Sequence, residues 1–167
     1  MKKLIVVIAV CLSLAFVVII NNITPAKEKW VQFKNIPDVS NILGMGFLSG
    51  SEYFYDEVKG VSDDSVAGIC EFETLIVPGS TLKESLENDY KTSIKAIKYK
   101  YRVNYKMNYI TILYITVYDN SMKVLIEEQN ELVVPGLSPI MESMLQTFQE
   151  RYKIIKQIPL PQQGMKV

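Results

Sequence analysis

Ile97-Lys98-Tyr99-Lys100-Tyr101-Arg102-Val103-Asn104-Tyr105-Lys106-Met107 alternates without a break between apolar or aromatic side chains and polar ones. Period two over this length predicts an antiparallel strand with one face in a core and the other in water. Downstream, Tyr109 to Tyr118 carries apolar residues on both faces, the pattern of a central strand covered on two sides. Asp119-Asn120-Ser121 supplies turn chemistry and Met122 to Glu128 returns, which completes a three-stranded meander. Upstream, Glu52 to Val58 and Val66 to Val77 read as two more strands around a polar turn, Ser62-Asp63-Asp64-Ser65.

Two helices are expected to frame the meander. After Pro78-Gly79-Ser80, Thr81 and Glu84 have the spacing of a capping box, and Leu82, Leu86, Tyr90, Ile94 and Ile97 follow at near-helical intervals. Ser138 is placed to cap the second helix with Pro139 in its first turn. Met141, Met144, Leu145, Phe148 and Tyr152 then fall on one face. The fold class is α+β: about five antiparallel strands packed by two helices, in the order ββ-α-βββ-α. Trp30-Val31-Gln32-Phe33 is a candidate opening strand, and Gly44, Gly46 and Gly50 indicate bends. In its element order the chain resembles the PsbP/DcrB-like fold of exported proteins, where a strand pair, a helix, a meander and a C-terminal helix follow one another. That resemblance implies a cleaved-signal periplasmic protein and transfers no functional residue.

The chain divides into an apolar N-terminal segment, 1–26, a domain, 27–157, and an extended tail, 158–167. Leu4 to Ile20 holds no charged residue and only one hydroxyl, Ser13, and Lys2 and Lys3 precede it. As a helix it is about 25 Å long, or about 30 Å if continued to Thr24, the thickness of the bilayer interior. It exceeds the apolar core of about 7 to 15 residues usual in a cleavable signal. The expectation is an uncleaved anchor, a transmembrane helix with its N-terminus inside and residues 27–167 outside, in a bacterial inner membrane. A secreted or periplasmic protein, released by cleavage, is the alternative. Val10 before Cys11 argues against a lipoprotein signal.

Chemistry is bounded by what is missing. The chain has 167 residues and no histidine, which removes the commonest general base and most zinc sites. Of its two cysteines, Cys11 lies in the apolar segment and Cys70 in a strand, so the domain has no internal disulfide and Cys70 is expected to be buried. Catalysis would rest on carboxylates: Glu71 and Glu73 project from one strand face about 7 Å apart, with Asp63 and Asp64 in the adjacent turn. A small secreted hydrolase using these acids is one reading and Ca²⁺ binding another, though no Ca²⁺ loop spacing is present, and a solvated strand face is the simplest.

Charge is unevenly distributed. Residues 27–89 carry five basic and twelve acidic side chains, whereas 90–118 carry six basic and none acidic. Those six, Lys91, Lys95, Lys98, Lys100, Arg102 and Lys106, form the candidate interaction surface, suited to another envelope protein or an anionic envelope component. Alternatively, lysines on an open strand keep other strands from pairing with it. No cofactor, metal or nucleic-acid signature accompanies them. The tyrosines of the two central strands, Tyr99, Tyr101, Tyr105, Tyr109, Tyr114 and Tyr118, allow an aromatic platform for a sugar or other ligand, and strand formers and core fillers are the simpler reading. The expected function is a membrane-anchored extracytoplasmic binding protein without catalytic activity.

Overall fold

The computed structural model describes residues 28–153. The anchor expected at Leu4–Ile20 and the tail 158–167 both lie outside the described residues. Among the described residues, no helix is long and apolar enough to cross a membrane. The domain is α+β, one antiparallel sheet with two helices. Its strands are β1 (Trp30–Gln32), β2 (Glu52–Asp56), β3 (Val61–Asp64), β4 (Ile69–Val77), β5 (Ile94–Asn104), β6 (Tyr109–Asp119) and β7 (Val124–Pro135). Helix α1 is Ser80–Tyr90 and α2 is Pro139–Tyr152. The sheet order is β1-β2-β4-β5-β6-β7, with β3 also on β4, so seven strands stand where about five were expected.

The two additional strands have local causes. Trp30–Gln32 pairs with Phe54–Asp56 and becomes the edge β1. Strands β2 and β3 lie end to end along one edge of β4: Glu52–Tyr55 pair with Thr74–Val77, and Val61–Asp64 with Ile69–Phe72. Asp56 interrupts them, because its Oδ1 accepts the Val58 amide at 2.9 Å and its carbonyl accepts the Gly60 amide at 2.9 Å. The turn expected at Ser62–Ser65 therefore falls later. Asp64 accepts the Val66 and Ala67 amides, and Gly68, at φ +73°, closes the turn before β4. A side chain at Gly68 would meet the Lys106 stem at 2.5 Å.

Helix α1 corrects another expectation. Its N-cap is Gly79, with no side-chain cap bond, so the Thr81–Glu84 capping box does not form. A Cβ at Gly79 would lie 2.3 Å from the Ser49 carbonyl oxygen, so the cap position has no room for a side chain. Lys91 ends it in the left-handed conformation at φ 53°. Ile94 and Ile97, expected on the helix, instead open β5, and the Ile94 amide donates to Glu87 at 3.1 Å. Helix α2 matches its sequence pattern, with Ser138 Oγ accepting the Met141 amide at 3.2 Å and Met141, Met144, Leu145 and Phe148 buried.

Both helices pack on one face of the sheet. Tyr99, which can point to only one side of its strand, packs in the cluster beneath α2 and also in the cluster of Ile94, Ile97 and Val117 beneath α1. Strand β6 is interior as expected, between β5 and β7, yet its second face is not covered by a helix. Phe148 of α2 is fully buried and meets Phe33, Tyr55 and Phe72 with ring centroids 4.8–5.5 Å apart. Such tilted contacts add to the burial of large apolar area. Cys70 is buried beside Val103, as expected, and burial first, then Asp63 and Glu71, push its thiol up to about 12. Phe148→Ala is expected to lower unfolding free energy by about 3–5 kcal/mol in urea titrations. Leu86→Ala, on the partly buried face of α1, should cost less.

Candidate functional site

The pleat of β4 and β5 places the charged residues on the helix-free face. Glu71 pairs with Arg102 and Glu73 with Lys100 across the two strands. Arg102 Nε donates to Glu71 Oε1 at 2.7 Å, and Lys100 Nζ lies 3.4 Å from Glu71 Oε2. Lys98 Nζ reaches Glu28 Oε1 at 3.3 Å. Lys59, from the turn after β2, bridges Glu73 at 2.7 Å and Glu28 at 3.1 Å. Partial burial raises the Glu71 carboxyl, but Arg102 and then Lys100 outweigh it and hold the group below the ordinary carboxylate range. Glu28 is lowered in the same way, Lys59 and Lys98 overcoming the effect of burial.

Of the six candidate basic residues, the structure brings together Lys98, Lys100 and Arg102, interleaved with Glu28, Glu71 and Glu73. The other three lie apart. Lys91 is the exposed C-cap of α1, and Lys95 is exposed at the start of β5. Lys106 sits beyond the other end of the strand, where Nζ donates to the carbonyls of Ser65 at 3.1 Å and Val66 at 2.8 Å. Among the acids, Asp63 accepts from the Tyr105 hydroxyl at 3.3 Å and Asp64 holds the turn. Glu28, Asp56 and Glu73 place carboxylate oxygens within 4.8 Å of one another, a donor set suited to a hard cation. In this structure the Lys59 and Lys98 ammonium groups provide the positive charge there.

The opposite face holds a site that residue types alone did not reveal. A cavity of about 520 Å³ opens between the sheet and the N-terminal half of α2. Tyr99 and Tyr101 form its floor, with ring centroids 5.5 Å apart and planes 9° from parallel. Ile110 and Ile112 of β6, Met141 and Met144 of α2, and Met45 and Leu48 of the loop before β2 wall it, and no charged residue lines it. Burial raises the phenols of Tyr99 and Tyr101, and pushes Tyr53 at the same cavity up to about 12, so all three remain neutral hydroxyls near pH 7. Size and lining fall within the range of small-molecule sites: mostly apolar walls and a few hydroxyls to orient a ligand. One signal of it was present in sequence, the tyrosines on a single strand face, but the contribution of residues 45–48 depends on how that loop folds over the sheet.

No family model, curated protein or solved structure matches this chain.

The charged ladder makes a direct prediction. Glu71 has a lowered pKa in the fold, so its pairing stabilises the protein above the ordinary carboxylate value of 4.5 and is lost as pH falls through the lower folded value. Arg102→Ala should move the Glu71 titration, followed by carboxyl-carbon NMR, upward toward 4.5. An unchanged titration would mean that Arg102 does not hold the carboxylate.

Proposed function

We propose that this chain is a membrane-tethered binding protein acting outside the cytoplasm, and that the tyrosine-floored cavity takes a small, predominantly apolar ligand. The observation that carries the binding half is the cavity itself, about 520 Å³ in volume and free of charged lining. Burying an ion there would cost several kcal/mol, whereas aliphatic or aromatic surface gains by leaving water and finds the Tyr99–Tyr101 platform. The tether rests on the apolar run Leu4–Ile20 and on Lys2 and Lys3 ahead of it, which favour a bacterial inner membrane with the N-terminus inside. A periplasmic or secreted protein released by cleavage would use the same cavity.

The non-catalytic reading draws support from the carboxylates. General acid catalysis needs a carboxyl with a raised pKa, and the pairing of Glu71 with Arg102 works in the opposite direction. Glu73 is held by Lys59 and Asp64 by its turn. In the hydrolase reading, Glu71→Gln would abolish activity on an added substrate without loss of fold.

Two measurements test the proposal. Ser121, exposed in the β6–β7 turn, can carry a cysteine in a Cys11→Ser background. A membrane-impermeant maleimide should label that variant in intact spheroplasts, and protection until lysis would reverse the orientation. For the cavity, the neutral fluorophore N-phenylnaphthylamine should brighten on binding to the wild-type chain. Ile112→Trp, which narrows the cavity, should remove that signal while circular dichroism stays unchanged. Equal brightening in both proteins would eliminate the cavity as the binding site.

A further inference from the structure

Strand β7 ends the sheet, and it pairs only with β6 among the described residues. Its outward amides and carbonyls form an open ladder along a strand of twelve residues. Glu127, Glu128, Gln129 and Glu131 are exposed, and so are Leu132 at 51%, Val133 at 57% and, at 38%, Val134, which also lines the apolar cavity. Three consecutive apolar residues exposed on a free edge invite pairing. Val124–Pro135 contains no lysine or arginine and its proline is the last residue, so its guards are three glutamates and two irregularities of register, at Leu125 and between Gln129 and Leu132. The charge it carries is acidic throughout, so a second β7 would bring like charges together. A suitable partner strand is basic and apolar.

The chain contains such a segment directly after α2. Lys153-Ile154-Ile155-Lys156-Gln157-Ile158 has two lysines, three isoleucines and no acid, and Pro159 limits how far it can pair. Lys153 and Lys156 are three apart in sequence, as are Glu128 and Glu131, and the irregularity of β7 between Gln129 and Leu132 falls within the acidic pair. The route matters as much as the composition. Helix α2 starts beside the end of β7 and finishes at the opposite flank, where Arg151 pairs with Glu57 and the Tyr152 ring lies 3.9 Å from the position of a Cβ on Gly60. From there to β7 the chain would cross four strand spacings, about 19 Å. That path uses about six residues at roughly 3.3 Å each, which is the whole segment. A neighbouring molecule has no such distance to cover.

We infer that residues 153–158 of one molecule, with Lys153 giving up its left-handed helix-cap conformation, add as an eighth strand to the β7 edge of a second molecule, joining copies head to tail. The end of α2, where the donor segment begins, and the acceptor strand β7 lie on opposite flanks of the sheet, so the contact is heterologous and can repeat. Main-chain hydrogen bonds supply its affinity, while the Lys–Glu pairs set its register.

The test uses the full-length chain, purified in detergent in a Cys11→Ser background, as two differently tagged populations. One carries Gln129→Cys on β7, the other Ile155→Cys. Mild oxidation should give a disulfide containing both tags. Glu128→Lys with Glu131→Lys in the acceptor should cut its yield about tenfold, and Lys153→Glu with Lys156→Glu in the donor should restore it. Crosslinking of Gln129→Cys to itself would establish β7–β7 pairing and overturn the inference. So would a yield indifferent to charge, no crosslink, or, in a third variant carrying both cysteines, a disulfide formed only within single molecules. None of these outcomes depends on what the apolar cavity binds.

Discussion

The pleat of β5 must send successive side chains to opposite sides, and the organisation of the domain depends on that separation. Ile97, Tyr99, Tyr101 and Val103 go beneath the helices, while Lys98, Lys100 and Arg102 go to the helix-free face. The register shift between Lys100 and Tyr101 leaves the strand's own alternation intact, because the extra residue, Leu113, belongs to β6. Tyr99 and Tyr101 therefore stay on one side and stack. The extra residue that β5 does carry, Lys95, precedes this stretch, and one placed between Tyr99 and Tyr101 would have turned one tyrosine toward the charged face and removed half of the cavity floor.

Charge on the helix-free face follows from pairing between strands distant in sequence. The basic run in β5 and the acidic run before it are separate when read along the chain, yet the antiparallel β4–β5 register sets Glu71 against Arg102 and Glu73 against Lys100. Glu28 and Lys59 join from the region of β1 and β2. The result is a network of alternating sign, in which each group is partly exposed and individual pairs contribute little to stability. Its effect is to fix side-chain positions along the face.

Legibility in the sequence tracked how local each signal was. The meander and α2 were readable because period two, the Asp119 turn and the Ser138–Pro139 start each act within a few residues. The end of α1 was not, since Leu82 to Ile97 keeps helical spacing right through Lys91, where the backbone turns left-handed. The division of β2 from β3 depends on the Asp56 side chain folding back onto its own turn. Strand β7 runs seven residues past its expected end because exposure on both faces leaves no alternation to read. The candidate basic residues were legible as a run, but only the fold could separate Lys91, Lys95 and Lys106 from the other three. The cavity needed the loop at Met45 and Leu48, whose position no periodicity encodes.

Cys70 sits where β3, β4 and β5 meet, with Asp63 and Val103 as its cross-strand neighbours. Only a thiolate attacks disulfides or alkylating reagents, and this thiol is both shielded and held protonated at neutral pH. Its reaction must therefore wait for these strands to part. The rate at which Cys70 is consumed then clocks the parting of β3 from β4 and of β4 from β5, and it distinguishes that opening from fraying of β7 at the far edge, which leaves the sulfur covered.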